Sequence, residues 1–363
     1  MTTQVRPQKK SFWSLLILSI TFFVALATIL ELLGRMPWLQ KVSPYRSVGN
    51  FDYQFELKWF RLQDYVKSHR GVDIIILGSS LVNTGVDPDI VAQTYYQQTG
   101  LHPRIFNFGV EGMTIAPNSV LARLLVEKYH PALLVYVTEM REYIAGIGLE
   151  YETPFLHDPW LQYQTGNFNL LGWLVNNSSA LQHYLPFRNW ARSDYPATSA
   201  LYFKRYQETS ASGYEPDMGI GVAIDIPPNP ADPAELQNFK DYGNYQIAPS
   251  RLGDLKSILD FSKNQGTAVW VVEMPVYPTF YVYVGGEMVH KQFQQTISSF
   301  VTTNGASFLP SETCLDIIPL KGRSNRWHLN YIGAPFFSNC LGNQLAIFAH
   351  QQHENFIKPG ASR

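Results

Sequence analysis

Charge is scarce in this sequence. Lys, Arg, Asp and Glu make up 16% of its 363 residues, against roughly 25% in an average soluble domain. The formal net charge is −1, and no long basic run occurs. Nucleic-acid binding therefore lacks its usual driving force, the neutralisation of phosphates by clustered Lys and Arg. Cysteine is scarcer still, with Cys314 and Cys340 alone. Two thiols cannot complete a tetrahedral zinc site, and they are too few for a disulfide scaffold. A P-loop, a dinucleotide fingerprint and a metal-ligand cluster are all missing, so no cofactor and no metal is expected. Apolar residues, in contrast, reach 45% and aromatic ones 14%. Such a chain buries a large core, which excludes wholesale disorder.

The longest apolar run is at the N-terminus. Residues 12–33 carry one charge, Glu31. As a helix they would extend roughly 33 Å, enough for the hydrocarbon layer of a bilayer. A cleaved signal peptide is the alternative, since Ala25-Leu26-Ala27 resembles a cleavage site. The apolar residues that continue through Thr28, Ile29, Leu30, Leu32 and Leu33 favour an uncleaved, single-pass anchor. Arg6, Lys9 and Lys10 precede the span, and Arg35, Lys41 and Arg46 follow it. The tighter leading cluster favours a cytoplasmic N-terminus and an extracytoplasmic main domain. The expected division is an N-terminal tail (1–11), the anchor (12–33), a juxtamembrane segment (34–70), a main domain (71–350) and a C-terminal tail (351–363).

Strand and helix patterns alternate in the main domain. Val72–Leu77 reads as a buried parallel strand, and Arg104–Phe108, Ala132–Val137, Thr267–Val272 and Ser307–Leu309 read as further short strands. Helices are expected over Tyr53–His69, Asp87–Tyr96, Pro117–Lys128, Leu252–Asn264, Met288–Asn304 and Pro335–His350. This alternation predicts an α/β fold with a parallel sheet between two helical layers. An insertion over 146–249, rich in aromatic residues, Pro, Asn and Gly, interrupts it. The run Ile226-Pro227-Pro228-Asn229-Pro230 excludes regular helix there. The insertion is expected to lie as loops and short helices over the open end of the sheet. Its Trp160, Trp173, Trp190, Tyr163, Tyr184 and Tyr195 either pack a loop-rich subdomain or stack on sugar rings.

Three local features carry chemistry. Ile74-Ile75-Ile76-Leu77 runs into Gly78-Ser79-Ser80, which places a serine beyond the carboxyl end of a strand, where ligands bind in open α/β sheets. Asn107-Phe108-Gly109-Val110-Glu111-Gly112-Met113-Thr114 ends a second strand with glycines that admit close backbone approach. Asn325-Arg326-Trp327-His328-Leu329-Asn330 holds one of nine histidines. Taken in this order, the three resemble the blocks of the SGNH, or GDSL-type, hydrolase superfamily. The nearer likeness is to membrane-anchored extracytoplasmic members with Gly-Ser-Ser, related to proteins of surface-polymer O-acetylation and D-alanylation. The resemblance covers roughly residues 71–145 and 250–350. It implies a three-layer sheet domain, Ser80 as nucleophile, His328 as general base, and the N–H groups of Ser80 and Gly112 as oxyanion donors.

Two positions depart from that pattern. Met140 falls near the place of an oxyanion asparagine, and losing one such donor costs about 10²–10³ in rate in a known protease. Thr138, Arg141 or a residue of the insertion would have to replace it. Asn325 stands where the family has an aspartate. An amide orients an imidazole but leaves an imidazolium without a countercharge, an exchange that costs about 10⁴ in a serine triad. Glu139 and Glu273, at strand ends, are the carboxylates to consider instead, although Glu273 by itself reads as exposed and solvated. The expected function is a membrane-tethered serine esterase or acyltransferase acting on acyl esters of extracytoplasmic glycans or lipids. The alternative is a non-catalytic protein of the same fold that binds a surface polymer or a membrane acyltransferase partner. In an oxidising compartment Cys314 and Cys340 are expected to bridge the last loop to the last helix and so enclose His328.

Overall fold

The computed structural model describes residues 10–42, 45–187, 195–242, 245–354 and 356–357. Arg6, Lys9 and Trp190 lie outside the described residues, as do the side chains of Lys10 and Tyr195.

Five parallel strands form the sheet: β1 (Ile74–Gly78), β2 (Ile105–Gly109), β3 (Leu133–Thr138), β4 (Ala268–Glu273) and β5 (Ser307–Leu309). Their order is β2-β1-β3-β4-β5, so the order reverses at β1, where open α/β sheets form their ligand crevice. Every residue of β1, β2 and β3 is buried, which explains why these runs are continuously apolar rather than alternating. Successive side chains leave opposite faces. Ile75, Leu77, Leu134 and Tyr136 join one core, with helices Tyr53–His69, Ile115–Tyr129, Pro249–Asn264 and Glu287–Thr303. Ile74, Ile76, Leu133 and Val135 join the other, with helices Ser80–Gly85, Pro88–Thr99 and Gly333–Gln352. This is the three-layer α/β architecture expected from the alternation.

Helix Tyr53–His69, expected in the juxtamembrane segment, packs into the first core through Phe55, Trp59, Phe60 and Leu62. The insertion contains short helices, including Leu149–Leu156, Pro159–Gln164, Leu170–Asn177, Ser179–Tyr184 and Tyr195–Glu208. One of its segments does not lie over the sheet end. It runs along the free edge of β2, where Asn107 N–H donates to Ser212 O at 2.8 Å and Lys58 Nζ donates to Gly213 O. The N-terminal helix spans Lys10–Gly34, and its stretch Phe12–Gly34 is long and apolar enough to cross a membrane.

Cys314 and Cys340 form a disulfide with Cα atoms 5.9 Å apart and a sequence separation of 26, a loop that includes His328. Closing a loop of this length is worth about 3 kcal/mol by chain entropy. Replacing both cysteines with alanine should therefore lower the unfolding free energy by about that amount. Denaturant unfolding of the oxidised protein and of the double variant measures it, and equal midpoints would contradict the assignment.

Candidate active site

Ser79 caps helix Ser80–Gly85, its Oγ accepting from Leu81 N–H at 3.4 Å, and Ser80 opens the first turn. The helix is held unusually close to β2. A Cβ on Gly109 would lie 2.3 Å from Asn83 N, so only glycine fits at this position. Asn107, fully buried, completes the clamp. Its Nδ2 donates to Val82 O and Val86 O, both at 2.7 Å, and its Oδ1 accepts from Gly109 N–H at 2.8 Å. Lys58 lies behind it, and burial pushes its pKa down to about 7.

His328 arrives from the other end of the chain. Its loop is tied down on several sides: Ser324 N–H donates to His328 O at 3.1 Å, Tyr277 N–H to Arg326 O at 2.7 Å, and Gly221 N–H to Arg323 O at 2.7 Å. Asn330 is buried and fastens the loop to the insertion through Gly219 O at 2.8 Å. The outcome is a hydrogen bond of 2.8 Å between Ser80 Oγ and His328 Nε2. Both residues are half-buried and reach a cleft.

Asn325 lies on the far side of the ring. Its Oδ1 accepts from Trp327 N–H at 3.0 Å and His328 N–H at 2.7 Å, and these two donors set the orientation of the amide. His328 Nδ1 is 3.2 Å from that oxygen and 3.0 Å from Asn325 Nδ2. The tautomer with a proton on Nδ1 donates to Oδ1 and leaves Nε2 free to accept from Ser80, as a general base requires. Desolvation, joined by the nearby Arg141 cation, pushes the pKa of His328 down to about 4, against a smaller opposing pull from Asp217. The ring is therefore neutral at pH 7 and able to take a proton.

The other sequence candidates are placed differently. Glu139 and Glu273 do not hold His328. Glu139 is buried and accepts from Arg141 N–H at 2.7 Å and Arg141 Nε–H at 2.8 Å. Glu273 is not exposed as expected; it is 2% accessible and contacts His290 Nε2 and Gln294 Nε2, both at 2.6 Å, and Ser311 N at 3.1 Å. A carboxylate at the buried end of β4 needs such donors, whereas sequence pattern alone makes a strand-end acid look solvated. Thr138 is buried and 3.2 Å from Glu142 Oε2, so its hydroxyl is committed there. Met140 is a core residue, and its neighbour Arg141 supplies the cation that acts on His328. Gly112 has a left-handed φ of +74° and lines an adjacent cleft with Tyr151 and Arg205, while Ser80 lines the first cleft. Glu111 and Arg205, paired at 3.0 Å, form the wall shared by the two.

The insertion supplies residues that no local motif announces. The Ser80 cleft, about 560 Å³, is walled by Lys204, Arg205, Glu208, Glu215 and Asp217. Glu215 is held by Gln54 Nε2 at 2.9 Å and Asn83 Nδ2 at 3.1 Å, which joins the insertion to the helix that carries Ser80. Of the insertion aromatics, Trp160 packs in the core against Trp59 at 4.8 Å. Trp173, Tyr163 and Tyr184 do not line the Ser80 cleft.

The class that the fold and this site define is an α/β protein with a Ser–His–Asn constellation at the carboxyl edge of a parallel sheet. No protein-family model matches the chain, and no curated protein matches it. Among solved structures, the chain is similar to a candidate acylhydrolase from Bacteroides fragilis, with 11% identity, 79% of this chain and 96% of that one covered, and a TM-score of 0.37. It is similar to a GDSL-like lipase from Bacteroides thetaiotaomicron, with 10% identity, 78% and 91% covered, and a TM-score of 0.34. An acetylxylan esterase from Geobacillus stearothermophilus, in a catalytic-mutant form, is a third, with 12% identity, 79% and 98% covered, and a TM-score of 0.33.

Beneath the site, Glu142 is buried, and Tyr136 Oη and Thr138 Oγ1 donate to its Oε2. Burial first, then the charge of Glu139, raises its carboxyl from 4.5 to about 8. The folded protein thus keeps a proton that the unfolded chain releases near pH 4.5. This contribution to stability is complete below pH 4.5 and lost as pH rises through 8. Glu142→Gln keeps the shape without the proton. Relative to wild type, it should gain about 1 kcal/mol or more between pH 5 and pH 9. Urea midpoints at the two pH values check this; a constant difference would refute it.

Proposed function

We propose that the chain is a membrane-tethered serine esterase or acyltransferase acting on acyl esters of extracytoplasmic glycans or lipids. The observation that carries this reading is the 2.8 Å contact of Ser80 Oγ with His328 Nε2 between residues 248 positions apart. A hydroxyl at the start of a helix, facing a neutral imidazole, is a nucleophile with its base in place. Ser80 Oγ attacks the acyl carbonyl carbon and its proton passes to Nε2. The oxyanion accepts from the Ser80 N–H; Gly112, the second donor expected from the resemblance, lines the neighbouring cleft instead. The imidazolium then gives the proton to the leaving alcohol as the carbonyl re-forms, leaving an acyl-serine. Attack by water gives hydrolysis, and attack by an acceptor hydroxyl gives transfer. The apolar N-terminal helix serves in this reading as a single-pass anchor with a cytoplasmic N-terminus.

Met140 and Asn325 favour a second reading, a non-catalytic protein of this fold that binds a surface polymer or a membrane acyltransferase partner. Labelling with a fluorophosphonate serine probe separates the two. Wild type should label, and Ser80→Ala and His328→Ala should lose at least about tenfold in labelling rate, since general-base assistance contributes 10²–10⁴. Equal labelling of all three, or of none, would remove the enzyme reading.

Asn325→Asp tests the missing carboxylate. The two backbone N–H donors at Asn325 Oδ1 suit a carboxylate equally well. A negative charge beside Nδ1 stabilises the imidazolium that forms as Ser80 attacks. Turnover of a short acyl nitrophenyl ester should rise about tenfold or more, equivalent to 1.4 kcal/mol of barrier. The acid limb of the rate profile should also move up from its wild-type position near pH 4, because the added charge favours the protonated ring. An unchanged rate and limb, with Ser80→Ala still inactive, would refute the claim that the carboxylate limits this site.

A further inference from the structure

The N-terminal helix does not end free of the domain. The Glu31 carboxylate accepts from Ser178 Oγ at 2.8 Å, Ser179 N–H at 3.0 Å and Ala180 N–H at 3.2 Å, the start of helix Ser179–Tyr184. Gly34 makes the approach possible: a Cβ there would lie 2.7 Å from Ala180 N. The end of the apolar helix is thereby fixed against one place in the insertion. The helix immediately before that place, Leu170–Asn177, turns Val175 into the core. Its outer side leaves Phe168, Leu170, Leu171, Trp173 and Leu174 exposed, Phe168 at 76% and Leu171 at 56%. From Pro159 to Phe187 there is no Asp, Glu, Lys or Arg.

We infer that helix Leu170–Asn177 and Phe168 form a second membrane contact, lying in the lipid interface beside the anchor. The inference rests on the membrane reading of the N-terminal helix above. Continuity identifies the occupant. Asn177 directly precedes Ser178, so the eight-residue helix lies within about 12 Å of the anchor's end. That end is where the bilayer surface must be. An exposed apolar face on a soluble surface calls for cover. The lack of charge suits insertion among acyl chains, and Trp173, with its amphipathic ring, suits the interfacial layer. Two contacts, a span and a surface helix, stop the domain from swivelling about a single tether. The same insertion walls the Ser80 cleft, so the cleft is held at a set height and orientation over the lipid.

The test uses the full chain in phosphatidylcholine vesicles. Because both native cysteines are bridged, a thiol spin label reports on one introduced cysteine at a time. Four exposed positions serve: Ile20→Cys in the anchor, Phe168→Cys and Leu171→Cys on the proposed contact, and Ile347→Cys on helix Gly333–Gln352, against the opposite face of the sheet. Collision with lipid-soluble oxygen is compared with collision with a water-soluble nickel chelate. The oxygen-to-nickel ratio at Phe168 and Leu171 should exceed that at Ile347 by about threefold or more, as expected for side chains 5–10 Å into the headgroup boundary. If both equal Ile347 while Ile20 reads as lipid, the second contact is overturned and the anchor stands. Shielding of both from either collider would mean that protein covers this face, which also overturns it. If Ile20 itself is water-accessible, both readings fall.

Discussion

Ser80 can meet His328 only because the helix it begins is pressed onto β2, and the amide of Asn107 does the pressing. Its two donated bonds hold Val82 O and Val86 O, and its accepted bond fixes Gly109 N–H. Each is worth about 1 kcal/mol net, but leaving such a buried amide unpaired would cost more. The glycines at the strand ends follow from the same constraint, since a Cβ at Gly109 would collide with Asn83 N. Behind the amide, a buried lysine links β2 to the insertion through Gly213 O. One polar network thus places Ser80, covers the sheet edge and recruits the segment that walls the cleft.

His328 is positioned by different means. The His328 loop is held by backbone hydrogen bonds from the end of β4 and from the insertion, and by a disulfide that closes around it. Arg141, in the turn after β3, contributes charge rather than contact. Its cation, with desolvation, keeps the imidazole neutral through the physiological range. The acids Glu139 and Glu273 saturate their own donors, Arg141 and His290, so they are unavailable to the ring. The site therefore brings together a Ser–His pair whose ring is flanked by an amide.

Much of this was legible in the chain. Continuous apolar runs mark β1, β3 and β4, because a strand buried on both faces admits little else, whereas the short β5 is only half-buried. Helix Glu287–Thr303 falls within one residue of its expected place, stopped before Gly305. Ser80 stands out because it follows a buried strand and opens a helix, whereas His328 stands out only through the likeness of Asn325–Asn330 to the last block of the resembled pattern. Asn325 is visible as the partner of His328 because it is three residues away, and short separations set geometry locally. Cys314 and Cys340, the chain's two cysteines, pair with each other.

Longer-range relations were decided in three dimensions. Glu273 is buried because helix Glu287–Thr303 lays His290 over it, a contact that no pattern within β4 encodes. Gly112 lines a cleft apart from Ser80 because Arg205, from an aperiodic insertion, pairs with Glu111 between them. Helix Tyr53–His69 has the spacing of a helix but not the address of one, and only packing against β2 makes it part of the core. Sequence determines what is satisfied within a turn or a strand: hydrophobic period, caps, and residues that a tight approach excludes. Tertiary structure decides which buried charge meets which donor, since each of those pairings is chosen among groups that lie far apart along the chain.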